Sequence, residues 1–72
     1  SIWDFSEGLA KVKLNGKYGF IDKSGKIIAK PKFDYGEYFS EGLAGVKLNG
    51  RWGFMDKNGK IVIEPKFDDI GY

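Results

Sequence analysis

A 34-residue unit occurs twice in this chain, and the second copy begins where the first ends. Phe5-Ser-Glu-Gly-Leu-Ala runs on to Tyr38, and Phe39-Ser-Glu-Gly-Leu-Ala runs on to Tyr72. The two copies are identical at 23 of 34 positions. Self-similarity at a fixed spacing of about 20–50 residues marks an array of stacked units. In such an array each unit completes its core against its neighbour, which restricts the chain to folds built from one surface fitted to the next. Residues 1–4 fall in the slot that residues 35–38 occupy before the second copy, with Ile2 in the place of Ile70. The expected organisation is therefore the tail of a preceding repeat at 1–4, repeat 1 at 5–38 and repeat 2 at 39–72, as a piece of a longer array.

A chain of 72 residues buries only roughly 60% of its unfolded surface and is marginal for that reason. Small scaffolds commonly add disulfides, metals or oligomerisation. Neither Cys nor His is present, so a disulfide or a typical zinc site is not available. Aromatic residues make up 17% of the chain, enough to supply a core and unlike a disordered segment. The net charge of +2 is divided unevenly: residues 5–38 carry seven Lys against four acids, residues 39–72 carry five basic and five acidic residues, and Asp4 contributes the remaining −1. The signs alternate along the chain, whereas nucleic-acid binding calls for a basic stripe. No specific nucleic-acid partner is expected. No apolar run approaches the ~18–20 residues of a membrane span.

Turn chemistry divides each unit into strands. Asn15-Gly16 and Asn49-Gly50 each separate two strand-like runs, Leu9–Leu14 from Lys17–Asp22 and Leu43–Leu48 from Arg51–Asp56. Asn-Gly supplies the two positive φ angles of a type I′ hairpin turn. Lys23-Ser-Gly25 and Lys57-Asn-Gly59 fit a three-residue turn closed by a left-handed glycine. A third run rich in Ile and Val follows, Lys26–Lys30 and Lys60–Glu64, and Pro31 and Pro65 are expected to end it because Pro cannot donate to a ladder.

Counting outward from Asn15-Gly16 sets Lys13 opposite Tyr18, Val12 opposite Gly19, Lys11 opposite Phe20 and Ala10 opposite Ile21. Counting from the second turn sets Ile21 opposite Ile27 and Phe20 opposite Ile28. One face then collects Ala10, Val12, Gly19, Ile21, Ile27 and Ala29. The other collects Tyr18, Phe20 and Ile28 beside Lys11 and Lys13. Both faces are apolar, as a unit covered by neighbours requires. Gly19 and Gly53 fit the close approach of another backbone or a ring. Phe33 and Phe39 are the expected anchors of the connecting segment. Helical periodicity is absent. The expected fold is all-β, tandem three-stranded antiparallel meanders in an open solenoid-like stack. The alternative is a set of propeller-like blades, for which Lys32–Asp34 and Lys66–Asp68 would supply a fourth strand.

Phe-Ser-Glu-Gly-Leu-Ala, followed by Asn-Gly-Arg-Trp-Gly-Phe-Met-Asp-Lys-Asn-Gly-Lys-Ile-Val-Ile-Glu-Pro-Lys-Phe-Asp, resembles the WG-repeat (KWG) family of bacterial proteins. The namesake dipeptide stands as Trp52-Gly53, with Tyr18-Gly19 in the first copy. The resemblance extends over residues 1–72. It implies tandem β-rich repeats in multi-repeat proteins and transfers no catalytic residue.

Motifs that carry chemistry elsewhere are incomplete. Gly19 to Gly25 has five residues between the glycines where a phosphate loop needs four, and Ile27 follows in place of Ser or Thr. Asp22-Lys-Ser-Gly and Asp56-Lys-Asn-Gly lack the alternating oxygen ligands and closing acid of a calcium loop, and suit turns in which Asp accepts nearby N–H groups. Glu7 and Glu41 recur at equivalent positions, where nothing separates their pKa values as an acid/base pair requires, so a turn role is expected. No cofactor, metal or enzymatic activity is expected. The candidate ligand platform is aromatic: Tyr18, Trp52 and Trp3 offer either cross-strand packing on Lys stems or flat faces for a ring. The expected function is a non-catalytic interaction or scaffold module with a protein partner or self-association. A carbohydrate or cell-envelope ligand on those rings is the alternative.

Overall fold

The structure is a computed structural model that describes residues 4–71; Trp3, one of the candidate platform residues, lies outside the described residues. Eight strands form two antiparallel sheets of four, ordered β1-β2-β3-β4 and β5-β6-β7-β8. The first comprises β1 (Phe5–Ser6), β2 (Leu9–Leu14), β3 (Lys17–Asp22) and β4 (Ile27–Phe33). The second comprises β5 (Tyr35–Gly36), β6 (Leu43–Leu48), β7 (Arg51–Asp56) and β8 (Ile61–Phe67). No helix occurs among the described residues. The all-β architecture is as expected.

The Asn-Gly hairpins hold the register that counting sets, from Leu14 opposite Lys17 to Ala10 opposite Ile21, and from Leu48 opposite Arg51 to Ala44 opposite Met55. The turn residues have the required φ angles, 51° and 81° at Asn15-Gly16 and again at Asn49-Gly50. Asp22 organises the next turn: its Oδ1 accepts the Ser24 and Lys26 N–H groups at 2.9 and 3.0 Å and the Ser24 hydroxyl at 2.7 Å. Those bonds, that from the Ser24 hydroxyl foremost, hold the Asp22 carboxyl below its ordinary range. In the second unit the Asp56 Oδ1 accepts the Asn58 and Lys60 N–H groups at 2.9 and 3.0 Å. These aspartates are turn residues.

Three expectations are corrected. The first concerns register beyond the second turn. Ile21 faces Ile27, but Phe20 faces Ala29, with Ile28 accommodated by a shift in register between them. Met55 likewise faces Ile61, and Phe54 faces Ile63. Ala29 and Ile63 therefore share a face with Phe20 and Phe54, opposite to the face assigned by simple counting.

The second correction is that Pro31 does not end its strand. β4 runs through it to Phe33, which pairs with Tyr18, and β8 runs through Pro65 to Phe67, which pairs with Trp52. A second register shift lets Pro31 pass without donating to the ladder, as proline in strands requires. The excess backbone is pressed toward Gly19. A Cβ there would stand 2.5 Å from the Ala29 carbonyl oxygen and 2.7 Å from the Pro31 nitrogen, and one on Gly53 would meet Ile63 and Pro65 at the same distances. Glycine after the aromatic residue is thus the counterpart of the proline across the sheet.

The third correction concerns the fourth strand. It comes from the segment ahead of each meander, Phe5–Ser6 and Tyr35–Gly36, and not from Lys32–Asp34 or Lys66–Asp68. Phe5 pairs with Ala10 and Ser6 with Leu9 across a two-residue turn, Glu7-Gly8, whose φ angles of 55° and 81° match those of the Asn-Gly turns. In the second sheet Tyr35 pairs with Lys47 and Gly36 with Val46, and Ser40 bridges Leu43 around the equivalent Glu41-Gly42 turn. Two residues are too short for periodicity to reveal.

The core lies between the sheets. Leu9, Phe20, Ala29 and Phe33 from the first pack with Ala44, Val46 and Met55 from the second, and Phe39 of the connection joins them. Phe33 and Phe39, the expected anchors, are buried.

Because the Gly53 site is set by backbone atoms that cannot swing aside, Gly53→Ala should destabilise the chain by about 1–3 kcal/mol, the range for overpacking. Pairing it with a cavity-making change elsewhere should not rescue it. Urea denaturation followed by Trp fluorescence measures the loss, and a cost within a few tenths of wild type would refute the close approach.

Candidate functional site

Among the described residues no group of three or more His, Cys, Asp or Glu converges as for a metal. The polar side chains that reach furthest along the chain all join one unit to the next. The Ser6 hydroxyl donates to the Phe39 carbonyl at 2.7 Å. The Glu7 carboxylate accepts the Glu41 N–H at 2.6 Å and the Gly42 N–H at 2.9 Å. Asp34 accepts the Lys17 ammonium at 2.8 Å on one oxygen and the Gly50 N–H at 3.0 Å on the other.

These contacts explain a local anomaly. Type I′ turns favour Asn or Asp before Gly, yet Glu occupies that place at φ 55° in the first unit and 51° in the second. The left-handed region costs an ordinary residue roughly 1–2 kcal/mol. Glutamate is longer than asparagine by one methylene, and its carboxylate spans to the matching turn one unit on. The strain at Glu7 is set against two charge-assisted hydrogen bonds. Glu41 carries the same strain, and its carboxylate has no partner among the described residues.

Aromatic residues line the same joint. Phe20 meets Phe39 edge-to-face at 5.2 Å, and Gly36 lets the second sheet approach the Phe20 ring, where a Cβ would stand 3.0 Å away. Tyr18, a candidate platform residue, meets Tyr35 edge-to-face at 5.2 Å, and Tyr35 meets Trp52, the second candidate, at 6.0 Å. Tyr18 and Trp52 are both half-buried. The structure therefore brings them into one row with Tyr35 between them, a residue that sequence reasoning passed over. The Lys11 ammonium lies 5.6, 4.8 and 4.4 Å from the ring centres of Tyr18, Tyr35 and Tyr38, within cation–π range.

A profile of the family described as WG containing repeat matches residues 1–18, 18–52 and 52–72, which together span the chain. The chain belongs to the WG-repeat family. The resemblance read from the sequence is thereby shown, and the middle match runs from Tyr18 to Trp52, across the joint between the sheets. No curated protein and no solved structure matches the chain. Among the described residues no helix is long and apolar enough to cross a membrane.

The WG signature has a structural meaning here. Its aromatic residue stands at the edge of the inter-unit ring row, and its glycine admits the proline-bearing strand of the same sheet. Neither role needs a ligand.

Asp34 makes the joint sensitive to acid. The Lys17 ammonium first, and the Gly50 N–H second, hold its carboxyl below the ordinary 3.8. A carboxyl depressed in the folded state contributes its full stability above its unfolded pKa and loses it as pH falls through the folded one. Acid titration from about pH 5 downward should therefore weaken the chain as Asp34 protonates below 3.8. Asp34→Asn should flatten that part of the profile. Urea midpoints at several pH values give the comparison, and identical profiles for Asp34→Asn and wild type would exclude Asp34 as a working contact.

Proposed function

We propose that this chain is a non-catalytic interaction module, a scaffold segment of a bacterial multi-repeat protein, whose working part is the joint between units. One observation carries this reading: the hydrogen bonds of Ser6, Glu7 and Asp34 reach the following unit, at Phe39, at Glu41 and Gly42, and at Gly50. These three side chains continue the array. The joint is also asymmetric, since the surface a unit offers forward differs from the one it offers backward, and repetition of such a joint extends a series.

The alternative, a carbohydrate or cell-envelope ligand on Tyr18 and Trp52, requires ring faces open to solvent. Both rings engage Tyr35 edge-to-face at interplanar angles of 74° and 80° and are half-buried, which supports packing as their role.

If the joint is the source of stability, lengthening the array should stabilise it. A fusion in which residue 72 is followed directly by residues 5–72 carries four units in register. Its urea midpoint should exceed that of the two-unit chain, with each added joint contributing at least about 1 kcal/mol, the scale of a single net hydrogen bond. Equal midpoints would mean that each unit is self-sufficient and would defeat the scaffold reading. Saturable binding to a glycan panel, lost on Tyr18→Ala or Trp52→Ala, would favour the alternative.

A further inference from the structure

Charges alternate in sign along the sequence, and the fold then separates them. Glu7, Asp22, Asp34 and Asp56 each accept backbone N–H groups, within a turn or across the joint. The lysines of the β3–β4 and β7–β8 turns are placed differently. Lys23, Lys26 and Lys30 in the first unit, and Lys57 and Lys60 in the second, are all exposed. The Lys17–Asp34 and Arg51–Asp68 ion pairs do not involve them. One backbone contact gathers four of them. Gly59 of the second unit lies so close to β4 of the first that a Cβ would run into the Ile28 carbonyl group. Lys26 and Lys30 stand two residues to either side of Ile28, and Lys57 and Lys60 flank Gly59. Four lysines from two units therefore converge at the side of the joint.

Packing of units leaves this flank open. Lys23 and Lys26 are exposed with a unit packed after theirs, and Lys57 and Lys60, their counterparts, are exposed with a unit packed before theirs. The nearby acids offset the charge only in part. Asp22 and Asp56 turn an oxygen toward their own turn N–H groups, and Glu64 stands where the first copy has Lys30. Composition narrows the ligand. Residues 22–30 and 56–64 contain neither Arg nor an aromatic residue. The planar fork of Arg matches carboxylates, whereas Lys is a compact point charge suited to phosphate. Single-stranded nucleic acid calls for rings on which its bases can stack, and these segments supply none.

We propose that the flank formed by Lys26, Lys30, Lys57 and Lys60 binds a linear polyphosphate chain, an unbranched run of phosphate groups without bases or sugar spacers. Such a polymer brings closely spaced negative charge to closely spaced ammonium groups, and its flexible backbone asks for no shaped pocket. Attraction between them is long-ranged and screened by salt. The flank is distinct from the Ser6, Glu7 and Asp34 contacts, so it adds a ligand to the scaffold reading without resting on it.

Calorimetric titration of the 72-residue chain with long-chain inorganic polyphosphate should show saturable binding that weakens steeply as salt rises. Lys26→Gln/Lys60→Gln should bind at least about tenfold more weakly, the scale of removing two lysines from contact with an anionic surface. Lys13→Gln/Lys66→Gln removes equal charge from exposed positions on β2 and β8 outside the flank and should bind nearly as wild type does. Urea midpoints of both variants should stay near wild type, because the substituted side chains are exposed. Should a variant fail to fold, amine acetylation of the wild-type chain gives an independent reading: bound polyphosphate should protect Lys26, Lys30, Lys57 and Lys60 more than Lys13 and Lys66. No saturable binding at low salt, equal losses in the two double variants, or protection spread evenly over all lysines would each overturn the proposal. Tighter binding of single-stranded DNA, or of a glycerol phosphate polymer with the same number of phosphates, would overturn it as well. None of these outcomes alters the urea midpoint of the four-unit fusion, on which the scaffold reading stands.

Discussion

A four-stranded sheet of about thirty residues has two faces and no layer of its own to cover either. Everything else in this protein follows from that shortage. The face that carries Phe20, Phe33 and Ala29 leaves water only because a second sheet of the same design lies on it. The gain is the usual one of removing apolar surface from water, but here it accrues to a pair of units and to neither alone. Their equivalents in the second unit, Phe54, Ile63 and Phe67, remain partly exposed. The asymmetry between two nearly identical sequences is the mark of a core that belongs to the joint.

Directional contacts then fix how the faces meet. A hydrophobic face by itself specifies little about angle or register. The Glu7 carboxylate does so by reaching from one hairpin turn to the next. Asp34 adds a second point at the far end of the sheets by tying the connecting segment to Gly50 and Lys17. Two polar clamps on either side of a buried phenylalanine pair leave little freedom to slide. The positive φ at Glu7 is intelligible in this light, since strain held in a turn commonly accompanies a contact that requires it.

Differences between the copies preserve packing at the joint. Lys11 and Gly36 in the first unit correspond to Gly45 and Ile70 in the second. Lys11 lies against Gly36, and Ile70 lies over Gly45 so closely that a Cβ at position 45 would collide with it. A large residue on the strand faces a small one on the connection in one unit, and the sizes are exchanged in the other. Total volume is kept while its origin changes, the kind of swap that tightly packed interiors tolerate.

Hairpin positions and their register were legible in the sequence because they depend on a few neighbouring residues: Asn-Gly permits one turn, and the pairing beyond it follows by counting. The all-β class, the 34-residue period and the family were legible for the same local reason. What lay beyond reach depends on residues distant in the chain. Whether Pro31 ends a strand or rides through it is decided across the sheet, where Gly19 leaves space for the displaced backbone. The short strands Phe5–Ser6 and Tyr35–Gly36 are too brief to show alternation and exist because an adjacent edge pairs with them. Glu7 reads as a turn residue, which it is, but its partner stands 34 residues away. The sequence by itself determined the unit and its turns. Only the tertiary structure decided how units join, because the joint is made where side chains of one sheet meet the backbone of another.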